Sequence, residues 1–177
     1  GTPRIVAAMD EIERIPTHIE GLDENMQGGI PKEHLCIVAG ASGAMKSSVS
    51  FSLLYNAVLY GETSGIYVTL EQGKDSLRSH MSNMGMNVDD VRVRNRIAII
   101  DLADLRVQLD QQGMNNRIDW MGQLIKQLTS YRESIGFELL VFDAPKSPIS
   151  SACRCCRRVT CSRNRLYASA YSAIVLR

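Results

Sequence analysis

The sequence predicts a single α/β domain whose mainly parallel sheet is flanked by helices. Three observations lead there. Short apolar runs alternate with stretches of helical periodicity, the pattern of strands joined by crossover helices. One run, FELLVFD (137–143), is apolar almost throughout, as expected of a strand covered on both faces. The first run passes through a glycine-containing loop straight into a helix. With 177 residues, 45% of them hydrophobic, the chain is long enough for one domain with its own core.

Taken in order, HLCIVAG (34–40) reads as a buried strand entering the loop. KSSVSFSLLYNAVLYG (46–61) reads as a helix with Val49, Leu53, Leu54, Ala57 and Val58 on one face and Gly61 as its stop. GIYVTLE (65–71) is a second strand, KDSLRSHMSNMG (74–85) a short helix and RIAIID (96–101) a third strand. IDWMGQLIKQLTSYRESIG (118–136) is a long amphipathic helix closed by Gly136, after which FELLVFD ends in Asp143. Met81, Met84 and Met86 are expected to pack a helix end, and Trp120 to anchor the core or an interface. His18, His34 and His80 are too scattered for a shared metal site.

Residues 40–48, GASGAMKSS, come close to the phosphate-loop pattern G-x-x-x-x-G-K-[ST]. Gly40, Lys46 and Ser47 fit it, and Met45 stands where the second glycine belongs. Such a loop brings several backbone N–H groups close to an anion at a helix N-terminus. Gly40 and Gly43 permit close approach, and Ala41, Ser42, Ala44 and Ser48 complete the loop. Lys46 would reach the terminal phosphates, and the Ser47 hydroxyl would ligate Mg²⁺. Asp143, closing an apolar strand, suits the carboxylate in the outer shell of a phosphate-bound Mg²⁺. Glu71 ends the strand after the loop helix, so in a parallel sheet it emerges on the same edge, where a carboxylate orients or deprotonates water. Each feature also has a plainer reading: a connecting loop, an Asp capping the next turn, a solvated strand end.

At the level of longer motifs, RIPTHIEGLDENMQGGIPKEHLCIVAGASGAMKSS, GIYVTLEQGKDSL and FELLVFD together resemble the KaiC-like branch of the RecA superfamily of P-loop ATPases, over residues 10–143. The most specific piece is IPTHIEGLDENMQGGIP, since family members place a P-T-G-I-x-G-L-D-like stretch and a G-G-I-P turn before the first core strand. The resemblance implies a RecA-type P-loop NTPase fold and ATP with Mg²⁺ at a subunit interface in a ring, often a hexamer. It assigns Gly40 to Ser48 to Walker A, Lys46 and Glu71 to catalysis, and Ser47 with Asp143, the Walker B aspartate, to the metal. Two departures bear on turnover. Gln72 follows Glu71 where KaiC has paired glutamates, and Met45 adds a side chain at the closest approach to phosphate, although a G-T-M-K-S-like loop occurs among archaeal relatives.

Charge divides the chain at the same point. Residues 1–143 hold 13 Lys and Arg against 19 Asp and Glu, a balance of −6, whereas 144–177 hold 7 against none. Cys153, Cys155, Cys156 and Cys161 crowd into the second part, leaving Cys36 alone in the first. This tail does not continue the family pattern. It reads as a crowded metal or nucleic-acid module, as a disordered basic tail, or, best, as the product of a shifted reading frame. In that last case the ATPase core is incomplete at its C-terminal end, without its last strands and with an exposed sheet edge.

The acidic balance of 1–143 argues against a nucleic-acid surface on the core, and no loops of the RecA or RadA recombination kind follow Asp143. No apolar run reaches the length of a membrane span, and GTPRIVAAMDEIER carries acids where a signal peptide has its apolar stretch, so a cytoplasmic protein is expected. The resulting expectation is an ATP-binding, ATP-hydrolysing regulatory protein with an unidentified protein partner. The alternative is a nucleotide sensor or scaffold with little turnover.

Overall fold

The computed structural model describes residues 12–41, 43–70, 72–102, 104, 120–144 and 171–176. Its first elements are small: β1 (Arg14–Ile15), α1 (Leu22–Asn25) and β2 (Ile30–Pro31), with β1 and β2 paired antiparallel. Polar side chains hold this segment together. Asp23 accepts hydrogen bonds from the Thr17 N–H at 2.8 Å, the Thr17 hydroxyl at 2.7 Å and the His18 N–H at 2.9 Å. Desolvation pushes the Asp23 carboxyl up, but these donors outweigh it and hold its pKa below the ordinary value. Arg14 donates to the Met26 and Gly29 carbonyls, both at 3.0 Å. Gly29 has φ +125°, and a Cβ there would collide with the Ile15 carbonyl, so this turn admits no side chain. The family-like stretch 15–31 is therefore a polar knot built around Asp23, Arg14 and Gly29.

The main elements follow in chain order: β3 (Leu35–Ala39), α2 (Lys46–Tyr60), β4 (Gly65–Thr69), α3 (Lys74–Asn83), β5 (Ile97–Asp101), α4 (Trp120–Ile135), β6 (Leu139–Ala144) and β7 (Tyr171–Leu176). The strands form one sheet in the order β3-β7-β6-β4-β5. β4 pairs parallel with both β5 and β6, while β7 runs antiparallel between β6 and β3. Four strands thus share one direction, and their C-terminal ends share one edge.

Alternation along the strands sorts the core into two layers. Tyr67, Ile99, Leu139 and Val141 face α2 and α3, where Phe51, Leu54, Val58, Leu77 and Met81 are buried. Ile66, Val68, Ile100, Leu140 and Phe142 face the other way, onto Leu124 and Leu128 of α4. Each fully buried side chain of this size contributes roughly 1.5–3 kcal/mol.

Four sequence expectations change. β3 is half-buried rather than buried, because among the described strands it lies at the sheet edge and pairs on one side only. Val49 is 37% exposed and does not share the inner face of α2, which instead buries Ser48, Ser50, Phe51 and Tyr55 beside Leu53, Leu54, Ala57 and Val58. Met84 is exposed, whereas Met81 and Met86 pack as expected. The tail, to which no strand was assigned, supplies β7 from residues 171–176. The cysteines of the tail and the reading-frame question lie outside the described residues, as does the side chain of Trp120.

Candidate functional site

The site is built where β3 hands over to α2. Gly40 sits where an added Cβ would come within 3.1 Å of the Ala44 Cβ, so the loop is tight at its first glycine. Gly43 has φ +80°, and the Ala44 N–H closes a turn onto the Ala41 carbonyl at 3.2 Å. Met45 is the N-cap of α2 with φ 54° and ψ 27°, a left-handed conformation, and its side chain is exposed. That backbone geometry explains why the phosphate-loop pattern places glycine here: the loop needs a left-handed residue before the lysine whichever side chain is present.

Lys46, Ser47 and Ser48 form the first turn of α2, whose leading N–H groups have no carbonyl one turn behind them within the helix. The Lys46 ammonium folds back onto the loop and donates to the Ala41 carbonyl at 2.7 Å. Gly40, Ala41, Gly43 and Ala44 are exposed around it. Ser42 and Glu71 lie outside the described residues.

Asp143 is buried near the C-terminal end of β6, opposite Thr69 of β4, and so stands on the same sheet edge as the loop. The hydroxyl of Tyr67 donates to Asp143 Oδ2 at 2.7 Å and lies 3.5 Å from the Ser47 carbonyl oxygen. One buried phenol therefore touches both the strand-end carboxylate and the first turn of the loop helix. Sequence reasoning missed Tyr67. Period-two alternation puts it on the face of Thr69, but which strand lies beside β4 is not written locally.

Two other groups at this edge resolve into structural roles. Asp101, closing β5, accepts the Lys74 N–H at 2.9 Å and the Asp104 N–H at 3.0 Å, so this carboxylate caps the start of α3. Gln72 donates its side-chain amide to Ser76 Oγ at 2.8 Å, while the Thr69 hydroxyl donates to the Gln72 carbonyl at 2.9 Å. Among the described residues no three of His, Cys, Asp and Glu gather as a metal site. A hard cation at this edge would take a hydroxyl and a carboxylate oxygen from the chain and its remaining ligands from phosphate and water, which suits Mg²⁺. No helix among the described residues is long and apolar enough to cross a membrane.

Comparison with known proteins points the same way. A family model described as ATPase: KaiC matches residues 15–154. A UPF0273 protein of Thermotoga maritima is 36% identical over 90 residues, covering 51% of this chain and 37% of that protein. A UPF0273 protein of Pyrococcus furiosus is 30% identical over 124 residues, 70% of this chain and 47% of its own length. The circadian clock oscillator protein KaiC of Prochlorococcus marinus is 26% identical over 116 residues, 62% of this chain and 23% of that protein. The chain thus spans less than half the length of these curated relatives. Among solved structures, a KaiC-like protein from the hyperthermophilic archaeon Pyrococcus horikoshii superposes with a TM-score of 0.53 at 22% identity, covering 72% of this chain and 51% of that one. That likeness is one of fold, and the α/β sheet described above fits the RecA-like P-loop fold.

Proposed function

The chain belongs to the KaiC ATPase family, and from that premise we propose that it binds ATP on the loop Gly40 to Ser48 and hydrolyses it with Mg²⁺, in a regulatory or signalling role. The observation that carries the reading is the meeting of the loop helix with a buried strand-end carboxylate: Ser47 and Asp143 contact one hydroxyl, that of Tyr67. A plain connector between strand and helix has no need of such a partner.

In this reading the β- and γ-phosphates lie over the N-terminus of α2, where the N–H groups of its first turn and the helix dipole favour negative charge. Lys46, already turned into the loop by the Ala41 carbonyl, exchanges that acceptor for a phosphate oxygen. The Ser47 hydroxyl and the Asp143 carboxylate would hold Mg²⁺, which when bound supplies charge neutralisation on the phosphates. Glu71, two residues beyond Thr69, orients the attacking water. Phosphoryl transfer depends mainly on positioning and electrostatics, so these groups suffice if a neighbouring copy closes the site. A ring of copies, a hexamer in the fullest form, and a cytoplasmic location complete the reading, and the acidic balance of residues 1–143 supports a core that does not bind nucleic acid.

A second reading, a nucleotide sensor with little turnover, is favoured by Gln72. Its side chain is engaged at the start of α3 and supplies no second carboxylate beside Glu71.

Calorimetry of ATP with Mg²⁺ tests the site. The parent chain is expected to bind and Lys46→Ala to lose at least tenfold in affinity. In a turnover assay Glu71→Gln is expected to keep binding while losing about 10²-fold or more in rate. A folded parent that binds no ATP would refute the first reading. Binding without any turnover that Glu71→Gln can remove would establish the second.

A further inference from the structure

We propose that Tyr67 is a positioning residue for Mg²⁺, holding Asp143 in register with Ser47. The proposal rests on the ATP-binding reading above and names a residue that the phosphate-loop and strand-end motifs do not contain.

The topology gives such a link a place to act. The loop helix follows β3, Asp143 ends β6, and β7 stands between those strands, so no ladder hydrogen bond joins β3 to β6 directly. Tyr67 comes from β4, on the far side of β6, where it is paired with Ile99 and Val141. It is fully buried, and its ring packs against Phe51 of α2 with centroids 5.2 Å apart and planes tilted by 59°. A ring held between sheet and helix in this way delivers its hydroxyl to a set point. Among the described residues the O–H faces two acceptors of unequal distance, Asp143 Oδ2 at 2.7 Å and the Ser47 carbonyl at 3.5 Å. A hydroxyl can donate to one acceptor at a time. At these distances the proton goes to Asp143, which fixes one oxygen and orients the other.

The test uses the full chain and ATP calorimetry, once in excess EDTA and once across a Mg²⁺ series. Lys46→Ala reports on the ATP site, and Asp143→Asn reports on the metal. Tyr67→Phe keeps the ring on Phe51 and removes only the hydroxyl. It is expected to raise the Mg²⁺ needed for tight binding about 10-fold or more, the usual loss when a group orienting a metal ligand is removed. Its affinity for ATP in EDTA is expected to stay within about twofold. In an Asp143→Asn background the same change should have no further effect on the Mg²⁺ series.

A Mg²⁺ requirement in Tyr67→Phe equal to the parent's overturns the proposal, as does an effect of equal size with and without Asp143. If Lys46→Ala binds like the parent, the ATP-site reading falls first and takes the proposal with it, a result distinct from a normal Lys46→Ala loss beside an unmoved Tyr67→Phe. A measurement on the parent covers the case in which Tyr67→Phe does not fold. Adding Mg²⁺ to the ATP-bound chain should perturb the near-ultraviolet tyrosine band, and Asp143→Asn should remove that perturbation. An unperturbed band overturns the proposal.

Discussion

Position 45 offers a test in which the usual ranking of two residues should reverse. Met45 caps α2 in a left-handed conformation, φ 54° and ψ 27°. A residue with a Cβ pays roughly 1–2 kcal/mol for that region, and glycine does not. Glycine instead loses more freedom on folding, roughly 0.5–1 kcal/mol relative to alanine. Comparing Met45→Gly with Met45→Ala cancels the loss of the exposed methionine body and leaves only the Cβ. The balance favours Met45→Gly over Met45→Ala by about 0.5–1 kcal/mol, whereas at an ordinary helical position alanine is the more stable. For a chain of this length that difference is about 1–4 °C in Tm. Thermal unfolding followed by circular dichroism, without nucleotide, reads it. Alanine as stable as glycine, or more so, would show that residue 45 does not hold the left-handed conformation, and the explanation of the loop's glycine preference would fall.

Gly29→Ala should cost more than about 3 kcal/mol, because the residue is strained at φ +125° and its new Cβ meets the Ile15 carbonyl; denaturant unfolding checks this, and a loss under 1 kcal/mol would contradict the turn geometry. Two acids contribute to the loss of stability at low pH. Asp23 is held below its ordinary 3.8 against the desolvation that raises it, and Asp90 is lowered to about 2 by the Arg92 side chain and N–H. A lowered folded-state value means stability that is present above pH 3.8 and lost as pH falls toward 2, so Tm should decline across that window and decline less steeply in Asp23→Asn.

Much of the fold was legible because its signals are local. Helix α2 and strands β4, β5 and β6 announce themselves through periodicity and apolar runs within a few residues, and the observed bounds fall within two residues of the expected ones. The placement of β3 was not legible. LCIVA has the same apolar character at a sheet edge as in its middle, and only pairing on one side leaves it half-buried. Val49 fails for a related reason. Its apolar character does not say which side of the first turns of α2 faces inward, and that side is taken there by Ser48, Ser50 and Phe51.

The candidate site divides in the same way. Gly40, Lys46 and Ser47 are a contiguous motif, and Asp143 was found because an acid closing an apolar strand is conspicuous in a one-dimensional pattern. IPTHIEGLDENMQGGIP was recognisable as specific, yet its physical reason appears only in the folded segment: Asp23 gathers donors from Thr17 and His18, and the preceding Arg14 reaches across the turn to Met26 and Gly29.

By itself the sequence determined the α/β alternation, the strand–loop–helix order around GASGAMKSS and the division of charge at residue 143, because each depends on residues close together in the chain. The tertiary structure alone decided that β7 lies between β3 and β6 and that Tyr67, 76 residues away from Asp143, donates to it. Strand order and hydroxyl reach arise from the packing of distant segments against one another, and no local pattern of side chains encodes which strand becomes the neighbour of which.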